Sequence, residues 1–252
     1  MKKILSLLLS FFLICVFSQN IRLTYNLNYK PYQNDSLKYN KIFILQGENN
    51  SSVFIEKIKF ENDSINNPVI NADQIEEFTV VKNFERNEKY KIIEYAFDKY
   101  KIKIDSEQKW IVSEDSKFIS DFKCQKATID YGGRKWIAWF NSDLNLSNGP
   151  YIFDGLPGLV FEIYDQNKDY NFTLTKVEKL KDNFHRLQYM NTNDFYNSNW
   201  KGYKKIMLDF YSKPLRYFDD IPLKIDYKKE SEILQKKLKN SNPIEISEKP
   251  VY

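Results

Sequence analysis

Ile21-Arg22-Leu23-Thr24-Tyr25-Asn26-Leu27-Asn28-Tyr29-Lys30 decides the fold class. Its apolar side chains (Ile21, Leu23, Tyr25, Leu27, Tyr29) fall on one side of an extended chain, and its polar ones on the other. Successive side chains of a strand point to opposite faces, so a period of two marks a strand with one buried face. The alternation returns at Lys99–Asp105, where Tyr100, Ile102 and Ile104 oppose polar residues, and at Tyr170–Thr175. One-sided strands belong to antiparallel sheets, because parallel sheets are usually covered on both faces. Ile42–Leu45, Ser52–Ile55, Trp136–Phe140 and Leu159–Phe161 carry apolar groups on both faces and read as more fully buried strands. Strand candidates follow closely from Phe78 to Val177 without the helical stretches of about 10–15 residues that a βαβ architecture inserts. Asn62–Gln74, with Asn66-Asn67-Pro68, reads as a loop.

Towards the C-terminus the period changes. Tyr196, Trp200, Tyr203, Met207 and Phe210 recur at helical spacing, with Asn193 or Asp194 as a cap and Pro214 as the stop. A second helix is expected over Lys228–Lys239, with Leu234 and Leu238 inward, and residues 241–252 read as a tail. The expected fold is mainly β with C-terminal α: an antiparallel meandering curled sheet, or an open barrel, with the helices packed on or beside it. The open-barrel form would be like that of periplasmic lipid and lipoprotein carriers, an analogy of fold alone.

The N-terminus reads as an export signal. Lys2 and Lys3 precede the apolar run Ile4–Phe17, which is shorter than the ~20 residues that span a bilayer but suits a secretory leader. Cleavage is expected after Val16-Phe17-Ser18, which gives a signal peptide over 1–18, one β-rich domain over 19–240, and no membrane span after cleavage. A lipid anchor on Cys15 is disfavoured by the bulky Ile14 before it. The expected location is the periplasm, the outer membrane or the exterior. Losing Lys2 and Lys3 leaves 36 of the 38 basic residues against 34 acidic ones. That balance argues against nucleic acid, whose binders concentrate a basic face, and the scattered lysines read as solvated surface. Cys124 remains alone, so no internal disulfide is expected. With one histidine, His185, and no Cys-x-x-Cys, His-x-x-x-His or EF-hand spacing, neither a metal nor a cofactor is expected.

The catalytic readings are thin. A serine triad needs a base, and His185 sits in a polar connecting segment with no Gly-x-Ser-x-Gly elbow in the chain. Cys124 with His185 as base is the one nucleophile pair available, but Cys124 shares a strand face with Phe122 and reads as a buried small hydrophobe. Asp154 and Glu162 could be paired carboxylates, although Asp154 reads better as a stabiliser of the turn at Gly155. Trp136, Trp139, Tyr151, Phe153 and Leu156 form the best binding candidate, aromatic and apolar groups beside a rigid turn, with plain core as the competing reading.

Five of the seven glycines lie between Tyr131 and Leu159. Gly149-Pro150 and Gly155-Leu156-Pro157-Gly158 therefore read as a structural turn motif, with Pro157-Gly158 at the centre of a type II turn. Gly155-Leu156-Pro157-Gly158-Leu159-Val160 resembles the hexapeptide that names the GLPGLI family. Cys124-Gln125-Lys126-Ala127-Thr128, Gly133-Arg134, Ala138-Trp139-Phe140 and Gly149-Pro150 occur in the matching order, while Leu144-Asn145 departs from it. The resemblance implies an exported cell-envelope protein of Bacteroidetes-type bacteria and no particular activity. The expected function is a non-enzymatic envelope protein that binds a hydrophobic ligand or a partner chain. One alternative is an assembly module pairing through a sheet edge, and another is a hydrolase of unfamiliar type. A deep apolar cavity would favour the ligand, and a filled core with a long bare edge would favour the assembly module.

Overall fold

The computed structural model describes residues 21–48, 50–62, 78–95, 98–104, 107–144, 146–180, 193, 195–212 and 227–250. The expected leader over 1–18, most of the loop after Asn62, His185, Asp194 and Pro214 lie outside the described residues. Among those described, twelve strands form one sheet: β1 Ile21–Tyr29, β2 Tyr39–Glu48, β3 Ser51–Glu56, β4 Thr79–Asn83, β5 Glu88–Tyr95, β6 Asp98–Lys103, β7 Ile111–Ile119, β8 Phe122–Tyr131, β9 Arg134–Asn141, β10 Leu159–Asp165, β11 Tyr170–Lys179 and β12 Tyr196–Ser198. Their order is β12-β6-β5-β4-β3-β2-β1-β11-β10-β9-β8-β7, so the sheet is open, with β12 and β7 at its edges. All neighbouring pairs are antiparallel except β12 on β6. The mainly β, meandering reading holds, and the sheet does not close into a barrel.

The alternation of β1 sets the inner face. Leu23, Tyr25 and Leu27 are buried there with Phe43, Phe54, Trp136, Phe140 and Phe172 from other strands. A second layer lies on the opposite side of part of the sheet. Ile44, Val53, Ile55, Val81 and Ile92 pack there with Phe60 of the short helix α1 (Lys57–Asn62). Strands β2 to β5 are thus covered on both faces, which explains their continuous apolar runs.

Helices α2 (Trp200–Ser212) and α3 (Tyr227–Asn240) place Tyr203, Met207 and Leu238 against Ile93 and Ile102 of β5 and β6. The start of α2 differs from the sequence reading. Tyr196 lies in β12, pairs with Tyr100 and holds its ring 5.5 Å away at a tilt of 34°. The cap is Asn199, whose Oδ1 accepts the Gly202 N–H at 2.9 Å, in place of Asn193 or Asp194. Pairing with an available sheet edge outweighed the helical spacing of Tyr196.

The segment read as a tail is packed. Ser241, Asn242, Ile244 and Glu245 are each 3 % exposed or less. The chain returns over the first hairpin, where Tyr32 and Ser241 form a β-bridge and the Asn242 N–H donates to the Pro31 carbonyl at 2.7 Å. Among the described residues, no helix is long and apolar enough to cross a membrane.

Candidate functional site

Residues 146–158 leave β9 and cross the inner face before β10 begins. Their backbone is set locally. The Asn148 Oδ1 accepts the Gly149 N–H at 2.9 Å, and the Phe153 N–H donates to the Pro150 carbonyl at 3.0 Å. Tyr151 is held at φ +53°, a region that costs a bulky L-residue strain and persists only when its surroundings enforce it. Tyr151, Ile152 and Phe153 are completely buried and Leu156 is 1 % exposed. The segment therefore plugs the inside of the curled sheet.

The surrounding strands meet this plug with lysines. Parity along β5 sends Tyr90 and Ile92 to the outer layer, and so turns Lys89 and Lys91 inward with Ile93. From β4, the Lys82 ammonium donates to Asn148 Oδ1 at 3.0 Å, the Gly149 carbonyl at 2.9 Å and the Phe153 carbonyl at 3.3 Å. Burial pushes Lys82 down to about 7, against the opposing pull of Asp154. Lys89 pairs with Asp154 at 2.5 Å, and Lys91 with Glu245 at 2.9 Å. Glu245 also accepts from the hydroxyls of Tyr131, at 2.8 Å, and Tyr151. Asp154 is thus an ion-pair partner of β5, rather than the turn stabiliser expected from its position before Gly155.

A second buried network surrounds Arg134. Its guanidinium reaches Asp165 at 3.1 Å, Asp169 at 3.4 Å, Asn242 Oδ1 at 2.6 Å and the Pro243 carbonyl at 2.8 Å. It also lies 5.0 Å from the centre of the Tyr170 ring. Several donors in one rigid fork suit this mixed set of acceptors. The reading of lysines as solvated surface fails at Lys82 and Lys91, each 1 % exposed.

These networks hold the fold together. Asp154, Glu245 and Asp165 are each committed to a cation, and a neutralised buried pair offers no acid or base to a substrate. Asp154 and Glu162 do not converge: Asp154 meets Lys89 inside, while Glu162 pairs with Lys117 at 2.5 Å on the outer face. Cys124 is buried, and desolvation pushes its thiol up to about 11, far from the thiolate a nucleophile needs. No group of three or more His, Cys, Asp or Glu residues among those described could hold a metal.

Of the binding candidates, Trp136, Tyr151, Phe153 and Leu156 lie in the core. The Trp136 and Phe153 rings are 4.8 Å apart. Trp139 alone faces outward, half-buried, with the Lys117 ammonium 4.5 Å from its ring centre. The inward lysines went unread because a lysine on an alternating strand signals solvent unless the second layer is known.

The family model described as N-glycanase peptide, N-terminal domain, matches residues 27–201, more than half of the chain. The chain belongs to that family. The match overturns the GLPGLI reading. Glycine and proline in Gly155–Val160 answer to the backbone of a turn, so a short motif there reports the turn more than ancestry. Among solved structures, PNGF-II in a P21 crystal form is similar with a TM-score of 0.52 and 16% identity over 75% of this chain and 33% of that one. Its C2 form gives 0.54 and 16%, over 75% and 32%. The chain therefore spans about a third of the PNGF-II chain, and at this identity the likeness shows the fold alone. A LolA superfamily protein from Nitrosomonas europaea is more distant, with a TM-score of 0.30 and 9% identity over 66% of this chain and 88% of that one. No curated protein matches the sequence.

Proposed function

We propose that this N-glycanase-type N-terminal domain is a non-catalytic docking domain that takes an extended polypeptide on the edge of β7, which no other described strand pairs. One contrast carries the reading. The inner side, where a carrier-type sheet would hold a hydrophobic ligand, is filled by the plug, whereas the nine-residue β7 ends the sheet with Ile111 71 % and Phe118 72 % exposed. A strand edge offers unpaired N–H and C=O groups that an extended partner completes. The family's association with N-glycanases supports a partner belonging to glycan-processing machinery.

The chemistry of β7 selects its occupant. Glu114 and Asp115 lie at its centre, between Ile111-Val112 and Phe118-Ile119. A second copy paired antiparallel would set these acids against each other, which is destabilising. Asp115 is already paired with Lys126 at 2.8 Å, so a strand with Lys or Arg between apolar residues meets the exposed Glu114 near the centre and apolar groups at both ends. With a leader expected over 1–18, the proposed docking takes place outside the cytoplasm.

Hydrogen exchange tests the edge. A decapeptide with two central lysines flanked by valines should slow exchange of the β7 amides, and its glutamate counterpart should not. Phe118→Asp should abolish the protection while leaving exchange in β1 and β9 unchanged. Equal protection by both peptides, or by neither, would exclude the edge as the docking site.

A further inference from the structure

Lys82 of β4 and Asn148 of the plug meet deep in the interior, 1 % and 5 % exposed. The Lys82 Nζ lies 3.0 Å from Asn148 Oδ1. The amide is fixed in place: Oδ1 also accepts the Gly149 N–H at 2.9 Å, and Nδ2 donates to the Ser52 hydroxyl at 3.2 Å. Two donors on one side and a hydroxyl on the other set which atom is the oxygen. The carbonyl end of a primary amide is therefore held against a buried amine.

Two features around this pair suit a reaction between its members. Burial and the neighbouring Lys89 both favour the neutral amine, whose lone pair is the nucleophile. Asp154, whose charge acts on Lys82, stands beside them. Its Oδ1 is spent on Lys89, which closes it to outside substrates, but its Oδ2 is shut away from solvent with no hydrogen-bond partner. Buried polar atoms are normally satisfied, and an unpartnered carboxylate oxygen near an amine is a place for a proton in transit.

We propose that Lys82 and Asn148 join to each other in a self-formed isopeptide bond. Nζ attacks the Asn148 Cγ, and the new C–N bond forms as the bond from Cγ to Nδ2 breaks. The proton shed by Nζ passes by way of Asp154 Oδ2 to the leaving nitrogen, which departs as ammonia. One amine and one primary amide become one secondary amide and ammonia, so no oxidant, metal or co-reactant is required. Holding the two groups together replaces a binding step, because an oriented pair reacts as though at very high concentration. The remaining N–H keeps the Gly149 carbonyl, 2.9 Å from Nζ, as its acceptor. The bond ties β4 to the plug across 66 positions of the chain, and it does not depend on the β7 edge. Until it forms, Lys82 titrates as a free amine, and the mass of the chain tells the two states apart.

Intact-mass measurement of the full chain tests the bond. Chain recovered unfolded in urea should carry its full mass and become lighter by one ammonia on refolding at pH 8. The loss should be about tenfold slower at pH 5.5, where the amine holds its proton. Tryptic digestion of the product should give one linked pair of peptides containing Lys82 and Asn148. Lys82→Arg, which keeps the charge and the donors, should refold with wild-type circular dichroism and retain its full mass. A full mass in the natively folded wild type, or ammonia lost equally from Lys82→Arg, would overturn the proposal. So would a loss confined to the Asn148-Gly149 peptide, as the succinimide that this pair of residues can form by itself.

Discussion

Gly158 and Leu156 show how one motif divides its labour. A type II turn was expected at Pro157-Gly158, but the Gly158 N–H donates to the Leu156 carbonyl at 2.8 Å, closing a three-residue ring around Pro157. That is a γ-turn, whose inverse form suits the φ that proline imposes. Glycine is needed at 158 for two reasons. Its φ is +154°, and a Cβ there would lie 2.0 Å from the Asn141 carbonyl oxygen of β9. Gly158→Val therefore meets backbone that cannot yield, on top of a strained φ costing ~1–3 kcal/mol. Leu156 is 1 % exposed in the core, so Leu156→Ala should cost about 2–5 kcal/mol, more than a surface-motif reading implies. Thermal melts should show both variants destabilised, Gly158→Val more severely. A wild-type melt for Gly158→Val would contradict this account of the turn.

At the scale of elements, the contact between β4 and the plug governs pH dependence. Lys82 is fully buried, and burial lowers its folded-state value from the ordinary 10.5 to about 7. Between these values the unfolded chain binds more protons than the folded one, so stability rises with pH. The cost of burying the charge is fully present below pH 7 and is relieved as pH climbs towards 10.5. Asp154 opposes this shift, and a single titrating group limits the slope to ~1.4 kcal/mol per pH unit. Urea midpoints from pH 6.5 to 9.5 should show a positive slope from this group, and Lys82→Met should flatten it. An identical slope in the variant would mean that Lys82 remains protonated throughout the range.

At the scale of the molecule, the C-terminal segment closes the fold. Removing residues 241–252 takes Glu245 from Lys91 and strips Arg134 of Asn242 Oδ1 and the Pro243 and Ile244 carbonyls. Removing one partner of a buried ion pair costs ~3–5 kcal/mol, and two networks are damaged at once. A typical domain has only ~5–15 kcal/mol in hand. The truncated chain should lose cooperative unfolding and dispersed amide resonances, while Glu245→Gln, which keeps the shape, should fold with reduced stability. A truncated chain that melts cooperatively near the wild-type temperature would show the segment to be dispensable.

The sequence by itself determined the alternating strands, because a side-chain period of two is a local property: β1, β6 and β11 were legible residue by residue, as was α3, whereas Tyr196 of β12 was read as helix. Cys124 is buried as expected, although Phe122, whose shared face argued for it, is 39 % exposed. It also marked turns at Gly149-Pro150 and Gly155–Gly158, since glycine and proline crowd where the backbone must turn, but not that the segment between them fills the inner face. Only the tertiary structure decided which side of each strand is covered. Alternation tells which residues share a face, but a second layer on β2 to β5 turns Lys82, Lys89 and Lys91 inward, although their pattern resembles that of a solvated strand. The partners of those lysines are just as non-local. Glu245 lies 154 residues from Lys91 and Asn242 lies 108 from Arg134, and no local period carries information across such a separation. A segment that looked like a tail thus became the closing piece of the core, because buried charge must find its counter-charge wherever the chain can bring it.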